Sequence, residues 1–331
     1  MEEFRLQEVK KEKPKVKKKA IFIVFLIIVI AFIGFLFLGS RGGTITKLFS
    51  SSDFIQFTVA DKSYAYSYQD QGKWYVNVKG KVLGPYDSSI MNLSVSNSSY
   101  GFSYIKDGRS YVNVKGKVLG PYNDIRFISV SNNNYGFSYL DQGKRYVQIK
   151  DKTYGPYNDI WSLDVSDKNF GFVYSQVEDT WNVNISGDEF GPYSRPSYLS
   201  VSDNNYGFTY PKDGKIEIKT KNKIYGPYDD INVISVSDKS IGFSYFDKIK
   251  NQRIVSINDK DIDFYDSINE LVVSDNNYGF IYQKQGQWYA QIKDKTYGPY
   301  DMVNRLFVFN NNFGFAYQKG GGIYFSLNPK E

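Results

Sequence analysis

From about residue 54 to residue 328 the chain alternates large apolar residues with small or polar ones at a period of two, in runs of five to seven separated by clusters of Asn, Asp, Gly and Ser. The stretch Ser129–Asp159, SVSNNNYGFSYLDQGKRYVQIKDKTYGPYND, shows the grammar most clearly. Period-two alternation bounded by turn residues predicts β-strands. Four follow in order: FISVS (a), YGFSY (b), RYVQI (c) and TYGPY (d), with turns at Asp141–Lys144 and Lys150–Lys152 between the last three. In strand b, Tyr135, Phe137 and Tyr139 fall on one face and Gly136 and Ser138 on the other. One sheet is therefore expected to press its aromatic face onto the small residues of a neighbour. The tyrosines are expected in that packed core, with ligand stacking the lesser use for them.

The same unit recurs. Its strand b glycine stands at Gly101, Gly136, Gly171, Gly207, Gly242, Gly279 and Gly314, spaced 35 to 37 residues apart, and Ala65 takes its place in a first, altered copy. A fixed period of this length marks a repeat architecture, and a four-stranded antiparallel unit repeated radially predicts an all-β protein, a β-propeller. Proline cannot donate to a ladder and belongs on an edge. Pro85, Pro121, Pro156, Pro192, Pro227 and Pro299 all fall in strand d, which is thus the outer edge. Strand b occurs eight times, whereas strand d after it occurs seven times, counting the degenerate DFYDS at Asp263. The segment TITKLF (44–49) aligns with KVLGPY and supplies the missing outer strand. The expectation is an eight-bladed propeller over residues 44–328, with 329–331 a short C-terminal end.

Residues 1–19 are polar and lysine-rich, and residues 20–38, AIFIVFLIIVIAFIGFLFL, carry no charge. Nineteen residues rising ~1.5 Å each make a helix of about 28 Å, close to the hydrocarbon thickness of a bilayer. A single uncleaved transmembrane helix is expected, followed by a short linker, 39–43. The tail holds eight Lys and Arg against four Glu, whereas only Arg41 and Lys47 lie just beyond the apolar run. The positive-inside rule then puts the N-terminus in the cytoplasm and the propeller outside, in a periplasm or at the cell surface. The linker is short, so the face that carries the c-to-d turns is expected to look at the bilayer and the d-to-a loops away from it.

Charge narrows the classes of partner. With the tail set aside, the remaining 33 Lys and Arg stand against 31 Asp and Glu, so the propeller lacks the basic excess that nucleic-acid binding needs. The chain has neither Cys nor His, which removes thiolate nucleophiles, disulfides, the commonest general base and the commonest transition-metal ligand. No G-x-S-x-G, phosphate loop or metal-ligand cluster is present, so no cofactor, no metal and no catalytic residue are expected. The SDNN turns lack the spacing of a calcium loop. Sequons begin at Asn92, Asn97 and Asn184. Candidate binding residues are the acids after GPY and the departures from the repeat: Asp87, Asp124, Asp159, Asp230 and Asp301; Glu178 and Asp179 in the fourth b-to-c turn; and Arg195, where the fourth unit reads SRP.

The run SVSDNNYGFTYPKDGK (200–215) resembles the WD40-like bacterial propeller repeat of the Tol-associated periplasmic family, whose units read roughly S-P-D-G, an apolar strand, D-G and an I-Y-V strand. Val201 and Asn204 stand in the region of that family's proline and first glycine. The resemblance implies a propeller, often extracytoplasmic and protein-binding, and carries over no catalytic residue. The function expected from the sequence is a membrane-anchored, non-catalytic scaffold that binds another envelope or surface protein. The alternative is a carbohydrate-binding or carbohydrate-active propeller that uses exposed Tyr and paired carboxylates on a glycan.

Overall fold

A computed structural model describes residues 44–49 and 54–328. They form eight four-stranded antiparallel sheets. Seven are built from consecutive strands: Phe54–Tyr86 (blade 1), Met91–Tyr122 (blade 2), Asp124–Tyr157 (blade 3), Asp159–Tyr193 (blade 4), Leu199–Tyr228 (blade 5), Ile231–Tyr265 (blade 6) and Ser267–Tyr300 (blade 7). Blade 8 takes strands a to c from Met302–Leu327 and its outer strand from Thr44–Phe49. Thr44 pairs with Leu327 and Phe49 with Ile323, so the chain enters this strand from the face of the c-to-d turns. Blade 8 meets blade 1 through the rings of Phe57 and Phe307, whose centroids are 5.9 Å apart, and through Asn312 Nδ2, which donates to Asp61 Oδ1 at 3.1 Å. The ring closes. The eight-bladed propeller expected from the repeat is what the chain forms. The apolar run 20–38 lies outside the described residues; among these, no helix is long and apolar enough to cross a membrane.

The core lies between blades. At the junction of blades 3 and 4, Val147, Ile149 and Tyr157 pack against Ile160, Leu163, Val165, Phe172 and Tyr174. Phe102, Phe137, Phe172, Phe208, Phe243, Phe280 and Phe315, the middle residue of strand b in blades 2 to 8, are fully buried, each contributing roughly 1.5–3 kcal/mol of apolar burial. The expected partner of the strand b glycine is corrected by the structure. A Cβ on Gly136 would lie 3.0 Å from Val165 Cγ2 of the next blade and 2.6 Å from Ile149 Cδ1, so the small residues receive the aliphatic innermost strand of the neighbour. The aromatics meet the tyrosine of GPY instead. Ring centroids are 4.4 Å apart for Tyr122 and Tyr139, 4.2 Å for Tyr157 and Tyr174, and 4.1 Å for Tyr300 and Tyr317. Tyr265 of blade 6, where the strand reads KDIDFY, stacks on Tyr282 in the same way at 4.4 Å. In the GPY strands Gly155 has φ +124°, and a Cβ would sit 3.0 Å from the Arg145 carbonyl oxygen.

Two belts of polar contacts run around the ring. Innermost strands leave backbone N–H groups without a ladder partner, and an unpaired buried N–H is costly. The serine of SVS supplies the acceptor: Ser94 Oγ takes Val130 N–H, Ser129 Oγ takes Val165 N–H, Ser200 Oγ takes Val236 N–H and Ser235 Oγ takes Val273 N–H, all at 3.1–3.2 Å. The second belt joins a-to-b turns. Ser98 N–H donates to Asn132, Asn133 N–H to Asp167, Lys168 N–H to Asp203, Asn204 N–H to Asp238, Lys239 N–H to Asp275 and Asn276 N–H to Asn310. The SDNN turns thus lock each blade to the next.

Candidate functional site

The face formed by d-to-a loops and b-to-c turns differs from the belted one. Of the large apolar side chains left exposed, Ile105, Trp161, Val177, Tyr198, Ile249 and Met302 lie on it, whereas Val82, Val118 and Ile224 lie on outer strands. Four blades share a polar tie on it. The first residue of strand c ties down the d-to-a loop fourteen residues later: Lys73 to Asp87 at 2.5 Å, Arg109 to Asn123 at 2.6 Å, Lys144 to Asn158 at 2.7 Å, and Lys215 to Asp229. Hydrogen bonding to Lys215 and Lys248 holds the Asp229 carboxyl below the usual range.

Most of the candidate acids serve such ties. Asp87 pairs with Lys73, and Asp124 Oδ2 accepts from Arg145 Nη2 at 2.6 Å. Asp159 Oδ1 accepts from Arg126 Nη1 at 2.7 Å, and Asp230 pairs with Arg253. Asp301 Oδ2 takes the N–H of Gly320 at 2.7 Å. These acids are spread around the ring, and no group of three or more Asp and Glu that could hold a metal ion occurs among the described residues. Asp164, beside the axis of the ring, belongs to the serine belt: Oδ2 takes Val201 N–H at 2.8 Å and Oδ1 takes Val165 N–H at 2.9 Å, while burial raises its pKa. Glu270 also has its pKa raised by burial and accepts Leu306 N–H at 2.8 Å. Of the sequon asparagines, Asn184 is buried and accepts Gly187 N–H, and Asn97 accepts Lys62 N–H.

The tie is absent from four blades: blades 6, 7 and 8 begin strand c with Gln252, Gln287 and Gly322, and blade 4 has Thr180 and Ser194 in the places of the cation and its loop partner. The two departures legible in the sequence, Glu178 with Asp179 and Arg195, converge here on two tryptophans that sequence reasoning passed over. The Arg195 guanidinium lies 4.2 Å from the centroid of Trp161, and Trp161 meets Trp181 edge to face at 6.3 Å. Beside Trp181 opens a cleft of about 370 Å³ lined by Asn158, Asp159, Ser175, Glu178, Asp179 and Trp181. Asp159 is already neutralised by Arg126, whereas Glu178 and Asp179 are exposed and make no ion pair among the described residues. The signal for the tryptophans was available. Trp161 and Trp181 occupy the positions held by Arg126 and Arg145 in blade 3.

No family model matches the chain, so the resemblance to the Tol-associated type extends to the propeller fold and no further. No curated protein matches it either. Solved structures do. The β-propeller domain of the trilobed protease from Pyrococcus furiosus aligns with a TM-score of 0.51 at 10% identity, covering 73% of this chain and 96% of that one. The acylaminoacyl peptidase from Pyrococcus horikoshii aligns with a TM-score of 0.49 at 11% identity, over 80% of this chain and 57% of its own. The CRINKLY WD40 ectodomain of the Arabidopsis thaliana receptor kinase ACR4 gives 0.44 at 10% identity, over 69% and 90%. This chain thus spans little more than half the length of the acylaminoacyl peptidase. At such identities the shared feature is the fold. The expectation of a non-catalytic scaffold is corrected by the first of these, since the propeller aligned at 0.51 is a domain of a protease. Nothing in the matches favours the glycan alternative, and Tyr104, Tyr157 and Tyr282 are buried between blades.

Proposed function

We propose that the propeller serves proteolysis by holding a polypeptide segment at the face of the d-to-a loops and b-to-c turns for a peptidase that acts with it. The observation that carries this is the sector around blade 4, where exposed Trp161 and Val177, the Trp181 cleft and unpaired Glu178 and Asp179 stand together. The cleft is polar, with Trp181 as its one aromatic wall, and its volume of about 370 Å³ falls within the roughly 300–1,000 Å³ usual for a binding site. The catalytic group would come from the peptidase, because this chain offers neither Cys nor His. Likeness in fold to a protease propeller supports the association.

The reading includes an anchor. Residues 20–38 would span the bilayer, with the lysine-rich tail in the cytoplasm and the propeller outside. The start of the closing strand at Thr44, on the c-to-d face, supports a binding face directed away from the lipid.

Full-length protein in detergent micelles tests the binding. A photoreactive group at Lys106, beside a b-to-c turn, should cross-link to a reduced, carboxymethylated polypeptide, and one at Lys117, beside a c-to-d turn, should not; equal yields from both overturn the assignment. The link to proteolysis has its own readout. Membranes holding the unaltered protein should degrade the same polypeptide faster than membranes holding Trp161→Ala, and equal rates would break the link.

A further inference from the structure

We infer that the blade 4 cleft selects for positive charge: it takes the ammonium or guanidinium group of a lysine or arginine in the bound polypeptide. The inference rests on the polypeptide-binding reading and names the side chain that this sector would recognise.

Three observations converge on it. Each of the other seven b-to-c turns contains or abuts a lysine or arginine of the chain itself, for example Lys73, Arg109, Lys144 and Lys215, whereas the turn from Gln176 to Thr180 has none. Asp70, Asp107, Asp141 and Asp213 also stand exposed in b-to-c turns, but singly and each in a turn that holds a lysine or arginine; here Glu178 and Asp179 stand adjacent, exposed and without an ion pair among the described residues, in a turn with no cation of its own. The cleft wall is Trp181, and the tryptophan it touches, Trp161, already carries a guanidinium at 4.2 Å in Arg195. A cation over an indole face gains roughly 0.5–2 kcal/mol, most where water is excluded. Arg195 also shows where the cleft's selectivity ends. Over Trp161 it presents a positive charge, so the site favours a cation at Trp181 and disfavours one beside Arg195. The apolar rim, Val177 at 63% exposure and Trp161 at 41%, suits the aliphatic stem of the side chain and an apolar residue beside it.

Competing features fall short. The half-paired Arg145 and Arg253, each with an unpartnered Nη1, face the junctions between blades, and the acids near the axis serve the belt.

The test uses full-length protein in detergent micelles and three fluorescein-labelled nine-residue peptides that differ only at a central arginine, citrulline or glutamate. Citrulline keeps the shape and removes the charge. The arginine peptide should bind at least ten times more tightly than the citrulline one, the glutamate peptide most weakly, and the preference should shrink as salt rises. The double variant Glu178→Gln, Asp179→Asn should bind the arginine and citrulline peptides equally, and a preference for arginine that survives it overturns the assignment of the charge to these two residues. Asn at 179 tolerates the positive φ of 58° found there, so the turn keeps its shape. Equal binding of the arginine and citrulline peptides by the unaltered protein overturns charge selection and leaves polypeptide binding standing. Binding of none of the three, with no cross-linking from Lys106, overturns both.

Discussion

At the scale of residues, the GPY tyrosine does two jobs. It closes the outer edge of its own blade and stacks on the strand b tyrosine of the next, and burial at this seam pushes the pKa of Tyr86, Tyr157, Tyr228 and Tyr300 up to about 12. A tyrosine whose folded pKa lies above its unfolded value near 10 gives stability that is fully present below pH 10 and is lost as pH rises toward the folded value, because the unfolded chain ionises first. The propeller should therefore unfold in alkali between pH about 10 and about 12, with tyrosinate absorbance and loss of β-sheet signal rising together. Tyr157→Phe removes one such group and should move the midpoint upward; tyrosinate absorbance that rises near pH 10 with the fold intact would refute burial at the seam.

At the scale of elements, alternation within one strand tells which residues share a face and leaves open what that face meets. This is why strands a to d, the turns between them and the aromatic face of strand b were legible, while Gly136 was assigned the wrong neighbour: the offset of about one strand between adjacent blades brings Val165 to it and Tyr157 to Phe172 and Tyr174. The polar belts were hidden for the same reason, since each bond crosses to the next unit, some 35 residues away. Glu178, Asp179 and Arg195 stood out as breaks in a repeat, but Trp161 and Trp181 stand at positions that vary from blade to blade, Trp181 in the place of Trp74, Arg145 and Trp288, and gave no such break. The belt has a measurable strength. Asp167 accepts the N–H of Asn133 at 2.8 Å and Asn132 Nδ2 at 3.4 Å, and Asp167→Ala should cost about 1–3 kcal/mol in denaturant unfolding. A change below ~0.5 kcal/mol would mean that the turns carry no load. Deleting residues 44–49 is the larger perturbation. It leaves Gly322–Leu327 as an unpaired edge, so the variant should melt at lower temperature and self-associate, as light scattering on heating would show.

At the scale of the whole molecule, the two faces of the ring are chemically distinct, and the chain enters on one of them. Thr44 begins the closing strand beside Leu327, on the face of the c-to-d turns, where Lys79, Lys115, Lys150 and Lys293 take positive φ and project into solvent-exposed turns. Only five residues separate Thr44 from Leu38, and five residues reach at most roughly 18 Å. If residues 20–38 span a bilayer, this lysine-bearing face lies against the headgroups, where each lysine gains up to about 1 kcal/mol with anionic lipid. The blade 4 cleft then opens on the opposite side, a strand length away; seven residues at ~3.3 Å each put more than 20 Å between the faces. The absence of cysteine makes the test clean. A fluorophore on a single cysteine at Lys117 should be quenched by nitroxide headgroups in reconstituted anionic vesicles, and one at Lys106 should not. Quenching at Lys106 alone would turn the binding face to the membrane and deny the cleft to any polypeptide arriving from outside; equal quenching at both would mean that the ring stands on its edge and that the linker sets no facing.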